Sequence, residues 1–303
     1  MRAMAVRTFG GPEALEAVDL PIPEPGPGQV RVRVRAAGVQ PFDTRVRAGW
    51  APPSIRLVPP VVVGNEFAGV VDAHGPGASA FQPGAEVLGF TTLGCYAEYV
   101  VVPETQMVAK PPAMPWEVAG GFPANAQGAY QCLSGAGIHE GDTVFVNAAA
   151  GALGTFTVQL ARAWGASTVI GSASPANQDH LRALGAVPVA YGPGMVDRVR
   201  AISDRVDAAV DLHGVDGLRA AVALVADRRR IRTMVDDDAA TELGVPLVEP
   251  GRSAARLTEL CALWEQGRIK VHIRHSYPLD RAADAHRGSE TGHGRGKIVL
   301  TVD

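Results

Sequence analysis

Apolar positions in the first hundred residues recur at a spacing of two. In residues 30–35 valine alternates with arginine, which puts the valines on one face of a strand and the arginines in water. Residues 3–7, 29–36, 68–73 and 96–102 read as β-strands, separated by Pro/Gly turn sequences at 21–28, 75–77 and 81–84. From Trp116 the pattern changes to alternating helix and strand. It predicts a helix over 117–136, a strand from Thr143, a helix after the glycines at 151–154 and a strand at 167–171. A helix at 178–184 and strands at 187–191, 207–211, 231–235 and 245–248 follow. Such alternation implies a parallel sheet covered on both faces. The tail from Lys270 reverts to strand and turn and ends in a strand at 296–302. The fold class is α/β, with a β-rich part and a doubly wound part.

Residues 143–165 organise this second part. A β-branched run turns through Ala149, Gly151 and Gly154 and continues with Phe156, Leu160 and Ala163 at helical spacing. In such a unit a glycine lets the backbone approach a pyrophosphate, and the N–H pole of the helix receives its charge. The pattern is Ala149-x-Gly151-x-x-Gly154, so the first glycine of the dinucleotide fingerprint is missing. An ordinary strand-to-helix turn has the same grammar. The next strand ends in Ser172-Ala-Ser174, about twenty residues on, where an acidic residue would bind the ribose hydroxyls of NAD. A carboxylate there would repel a 2′-phosphate, whereas Ser172, Ser174 and Asn177 donate hydrogen bonds to one. The expected cofactor is NADP(H).

Composition narrows the classes. A chain of 303 residues suffices for two domains, and a net charge of −3 without a like-charged block gives no footprint for nucleic acid or an anionic membrane. The three cysteines are far apart and form neither a disulfide framework nor a metal motif. No apolar segment of spanning length and no secretory h-region is found, so a cytoplasmic protein is expected.

Several ordered motifs carry a resemblance: residues 10–15, 38–43 (Gly-Val-Gln-Pro-Phe-Asp), 64–69 (Gly-Asn-Glu-Phe-Ala-Gly) and 94–100 (Gly-Cys-Tyr-Ala-Glu-Tyr-Val). The glycine turn, Ala285-His-Arg and residues 292–300 complete the set. Nearly end to end, the chain resembles a zinc-independent medium-chain dehydrogenase/reductase of the NADPH:quinone oxidoreductase (zeta-crystallin-like) branch, related also to enoyl reductases. The resemblance implies a GroES-like substrate domain over 1–122 and 267–303, with a Rossmann domain over 123–266 inserted between. It implies a homodimer in which residues 245–249 pair across a two-fold axis.

In zinc-bearing relatives a Cys follows the Gly-Val of the first motif and a His precedes the Glu of the second. Here those places hold Gln40 and Asn65, so no metal is expected. Without a Lewis acid, the feasible reaction is hydride delivery to an already electron-poor carbon, as in a quinone or an α,β-unsaturated carbonyl. The resemblance places the acceptor in a cleft walled by Gln40, Trp50 and Tyr130. It places the cofactor on Ala149, Gly151, Ala152, Leu153 and Gly154, with Tyr191 and Asn177 near the 2′-phosphate and Lys297 as a further contact. Gly128 stands where relatives have Thr, which assigns the nicotinamide to Asn125 or Gln127. That departure keeps a second class open: a non-redox member, either a nucleotide-sensing partner or a lyase/cyclase reusing the cleft.

Overall fold

The Val/Arg alternation lies in an 11-residue strand, Gln29–Val39, of the computed structural model, which describes residues 1–292 and 294–303. Val30, Val32 and Val34 are buried while Arg33 is exposed, as period two requires. This strand pairs antiparallel with Glu66–His74, with Tyr99–Pro103 and with Lys297–Thr301. The seven-stranded sheet continues outward to Glu86–Phe90 and Met107–Ala109 on one side and to Ile273–Pro278 on the other. Ile273–Pro278 runs parallel to Lys297–Thr301, and the helix Ala282–Glu290 lies between them in sequence, as a parallel pair demands. A second sheet joins Leu15–Asp19, Arg2–Val6 and Val61–Val62. Lys110, buried beside Met107–Ala109, donates to the carbonyls of Pro111 and Met114 and pairs with Glu86 at 3.0 Å. These elements form a compact unit of Met1–Ala124, Arg252–Cys261 and His272–Asp303.

The second unit comprises Asn125–Gly251 and Ala262–Val271. The expected boundaries at 122/123 and 266/267 thus differ from the observed division, in which residues 252–261 belong to the first unit and 262–271 to the second. Its five strands are all parallel, in the order Val187–Ala190, Thr168–Ala173, Thr143–Val146, Ala208–Asp211, Ile231–Thr233. Helices such as Ala152–Ala163 and Val215–Leu224 connect them, and Phe145, Ile170, Ala209 and Ile231 fill the core between. The central strands are buried along their length, which is why they read as continuous apolar runs.

Two elements differ from the sequence pattern. The expected 117–136 helix is broken into Trp116–Gly120 and Pro123–Ala136, because Pro123 has no N–H to give and keeps Phe122 out of helical backbone. Residues 245–248 form no strand: the sheet ends at Ile231–Thr233, and Pro246 lacks a ladder donor. Val245 is buried there, while Leu247 is 49% exposed. Among the described residues, no helix is long and apolar enough to cross a membrane. His293, inside the C-terminal motif, lies outside the described residues.

Candidate functional site

In the second unit the Thr143–Val146 strand delivers the chain to Ala148, which takes a positive φ of 56°. Gly151 then caps the helix Ala152–Ala163. A Cβ on Gly154 would lie 2.4 Å from the Ala148 carbonyl oxygen and 2.7 Å from Ala149 Cα, so only glycine lets the helix pack this closely on the turn. The missing first glycine is compensated across the sheet. Gly171 faces Ala149, and a Cβ on Gly171 would come within 2.8 Å of the Ala149 methyl. Gly151, Ala152 and Leu153 remain half-buried at the N–H pole of a 12-residue helix. The turn fits a pyrophosphate.

Beside it, a polar lacing joins the carboxyl ends of four neighbouring strands. Ser172 Oγ donates to Asn147 Oδ1 at 2.5 Å and accepts from the Ala148 N–H at 2.9 Å. Asn147 Nδ2 donates to Asp211 Oδ1 at 2.8 Å, and Thr233 Oγ1 donates to Asp211 Oδ2 at 2.9 Å. Burial pushes the Asp211 carboxyl up from its ordinary pKa, while the bonds from Asn147 and Thr233 pull it down. The expected role of Ser172 toward a 2′-phosphate is therefore corrected: its one proton is engaged inside the protein. Ser174, Asn177 and Tyr191 remain at the strand ends, with Tyr191 54% exposed.

On the helix Pro123–Ala136, Asn125 is buried with its Nδ2 unpartnered among the described residues, and Gln127 is fully buried. A Cβ on Gly128 would sit 3.2 Å from Leu153 Cδ1, so a larger residue there would ask the Leu153 tip to move by a few tenths of an ångström. Tyr130 packs edge-on against Trp164, ring centroids 5.0 Å apart. Trp164 caps the carboxyl end of Ala152–Ala163, about 18 Å along the helix from Ala152. Tyr130 thus leans on the end of that helix away from the glycine turn.

In the first unit, Gln40 caps the helix Pro41–Arg47 through a reciprocal capping box with Asp43. Its Nε2 donates to Glu66 Oε1 at 2.6 Å. Lys297 Nζ reaches the same oxygen at 2.6 Å and the Val39 carbonyl at 2.9 Å, while the Ala124 N–H donates to Glu66 Oε2 at 2.7 Å. Gly38 makes room, since a Cβ there would lie 2.0 Å from Glu66 Oε1. Lys297, 1% exposed, is an internal counter-ion rather than an open cofactor contact. Gln40 is held in place by Glu66, through Nε2, and by Asp43, through its backbone N–H.

A hydrogen-bond chain continues from Asp43. Tyr96 Oη lies 3.2 Å from Asp43 Oδ2 and 3.2 Å from His286 Nε2, and Arg47 Nη1 lies 3.5 Å from His286 Nδ1. Arg47 only donates, so Nδ1 accepts and Nε2 carries the proton, which it gives to Tyr96; Tyr96 then donates to Asp43. Arg47 also binds Glu290 at 2.6 Å. Burial, with Arg47 adding repulsion, takes His286 down to about 3, and burial takes Asp43 up to about 7.

Asn65 is buried with its Oδ1 unpartnered among the described residues, and its carbonyl accepts from Arg252 at 3.1 Å. Burial lowers the Arg252 pKa, with Glu66 opposing. Two neutral amides and a guanidinium make a poor cation site. Among the described residues no group of three or more His, Cys, Asp or Glu side chains is placed to hold a metal. Trp50 is 40% exposed, with the Arg45 guanidinium 3.7 Å from its ring centroid and Phe42 edge-on at 5.9 Å. It therefore presents an aromatic surface already stacked by a cation.

Sequence reasoning did not assign roles to Asp43, Glu66, Tyr96, His286, Asn147 or Asp211. The first four lie inside the short motifs at 38–43, 64–69, 94–100 and 285–287, and Lys297 lies inside 292–300. Polar residues set among glycines and apolar neighbours were the available signal. The motifs spell one buried network.

Residues 26–112 match the alcohol dehydrogenase GroES-like domain family, and residues 184–300 match the zinc-binding dehydrogenase family. The chain is 29% identical to quinone oxidoreductase of Homo sapiens, over 100% of this chain and 98% of that protein. A crystal structure of an NAD-dependent alcohol dehydrogenase is 32% identical with a TM-score of 0.88, covering 100% of both chains. A mycobacterial protein solved with NADPH is 30% identical with a TM-score of 0.87, over 99% of this chain and 100% of that one.

Proposed function

Since the chain belongs to the zinc-independent, quinone oxidoreductase-like medium-chain dehydrogenase/reductases, we propose that it is an NADPH-dependent reductase of quinones or α,β-unsaturated carbonyls. The observation that carries this reading is the Ala149–Gly154 turn, closed by Gly154 and relieved by Gly171, beside a strand end without a carboxylate. Gly151, Ala152, Leu153 and Gly154 would hold the pyrophosphate through backbone N–H groups. Ser174, Asn177 and Tyr191 would meet the 2′-phosphate, and Asn125 and Gln127 the carboxamide. When bound, NADP(H) supplies the hydride. The relative solved with NADPH supports the choice of nucleotide.

The protein's own share is position. The Glu66 cluster fixes Gln40 at the start of the Pro41–Arg47 helix, and that helix carries Arg45 beneath Trp50. A flat acceptor gains by stacking on such an aromatic, on the order of 1 kcal/mol beyond burial. The reduced oxygen takes its proton from solvent or a side chain.

Oxidation of NADPH by a panel of quinones and enones tests the proposal; tight NADPH binding without turnover of any acceptor would defeat it. The same reading includes a homodimer through residues 245–249, which pair with no strand among the described residues. A monomeric mass by light scattering at micromolar concentration would refute that part.

A further inference from the structure

We infer that Arg198 is the cationic residue that selects the 2′-phosphate of the cofactor, an inference resting on the NADP(H) reading above. The strands Thr168–Ala173 and Val187–Ala190 are parallel neighbours, with Ala173 opposite Ala190. Ser174 and Tyr191 are thus each one residue past the carboxyl end of adjoining strands, where ligands of open parallel sheets bind. Arg198, on the helix Met195–Arg200, folds back onto this edge. Its Nε and Nη2 donate to the Ala190 carbonyl at 3.1 and 2.8 Å, and Nη2 also reaches the Tyr191 carbonyl at 3.3 Å. Further bonds run to the carbonyls of Gly192 and Pro193.

Carbonyl oxygens orient a guanidinium but do not neutralise it. Among the described residues Arg198 has no carboxylate within ion-pair distance, whereas Arg182, on the neighbouring helix Gln178–Ala183, is paired with Asp179 at 2.6 Å. Of five N–H groups, one on Nη1 is left without an acceptor by these bonds. The loop is shaped around the cation: Gly192 and Gly194 take positive φ of 90° and 76°, and a Cβ on Gly194 would lie 3.1 Å from Nη1. With Ser172 engaged in the interior, Arg198 brings to the Ser174/Tyr191 edge a fixed positive charge suited to a phosphate dianion.

The experiment is titration of NADPH, NADH, 2′,5′-ADP and 5′-AMP into the wild-type protein, Arg198→Met and Arg198→Lys at fixed low salt, read by calorimetry. Arg198→Met should weaken NADPH and 2′,5′-ADP about tenfold, the loss of one charge-assisted contact, with NADH and 5′-AMP within about twofold of wild type. Arg198→Lys should fall between, and it reads the same ratio if the Met variant does not fold. Equal losses for both nucleotide classes would make Arg198 a loop clamp only and overturn the inference while leaving the NADPH reading intact. A wild-type protein that binds NADH as tightly as NADPH would overturn both.

Discussion

Lys297 Nζ and Glu66 Oε1 meet at 2.6 Å with side-chain exposures of 1% and 0%, so each holds the other's charge away from water. Three motifs converge at the pair, 64–69 through Glu66, 292–300 through Lys297 and 38–43 through Gln40 and Val39, and the Ala124 N–H donates to the other Glu66 oxygen. Removing one member strands the other, which typically costs about 3–5 kcal/mol. Glu66→Gln should lose that much in urea unfolding, and Glu66→Gln with Lys297→Met should recover a large part. A single-variant loss under about 1 kcal/mol would show that the pair does not hold this unit together.

The pH dependence of stability should carry two opposed slopes. Asp43 is raised from 3.8 to about 7 by burial, so the folded state binds the extra proton and stability falls as pH rises through that window. His286 is lowered from 6.5 to about 3, so its share of stability is lost as pH falls through that range. Asp43→Asn removes only the first slope. Melting temperature of the variant minus that of wild type should become more positive between about pH 4.5 and pH 8, by a few degrees. A difference independent of pH would contradict this account.

Ser172 and Ser174 should separate by phenotype. Ser172→Ala strips a partner from Asn147 and from the Ala148 N–H, costing about 1–3 kcal/mol in unfolding, and should leave the NADPH/NADH affinity ratio unchanged. Ser174→Asp should leave stability near wild type and move preference toward NADH by repulsion of the 2′-phosphate. Reversed outcomes in the two titrations would return Ser172 to the cofactor surface.

Trp50→Ala should raise KM for a flat quinone several-fold with NADPH affinity retained, the mark of lost ground-state binding. Arg45→Ala, which uncovers the ring, tests the same surface from the other side. Unchanged kinetics in both variants for every acceptor would remove Trp50 from the acceptor site.

The architecture was largely legible because it rests on periodicity. Alternation at 30–35 gave the long strand its buried face, and the continuous runs at Thr143, Thr168 and Ala208 gave the parallel sheet. Elements too short to show a period escaped, among them Glu86–Phe90 and the helix Pro41–Arg47. At the candidate site the glycine turn was readable because close approach leaves a compositional trace. Side-chain direction leaves none: nothing in the sequence says that Ser172 turns inward, that Tyr130 leans on Trp164, or that Lys297 finds Glu66. Compensation across strands was equally hidden, since the missing glycine at 149 is made good at 171.

The burial of Lys297 has a practical side. Of the 28 basic residues only three are lysines, and Lys110 and Lys297 are both shut away from solvent. Among the lysines, an activated ester offered to the native protein therefore meets Lys270, which is exposed. Acylation of lysine in the native protein should fall on Lys270. Uptake of further label would then report the opening of the β-rich unit, as Lys110 and Lys297 come into reach one after the other or together.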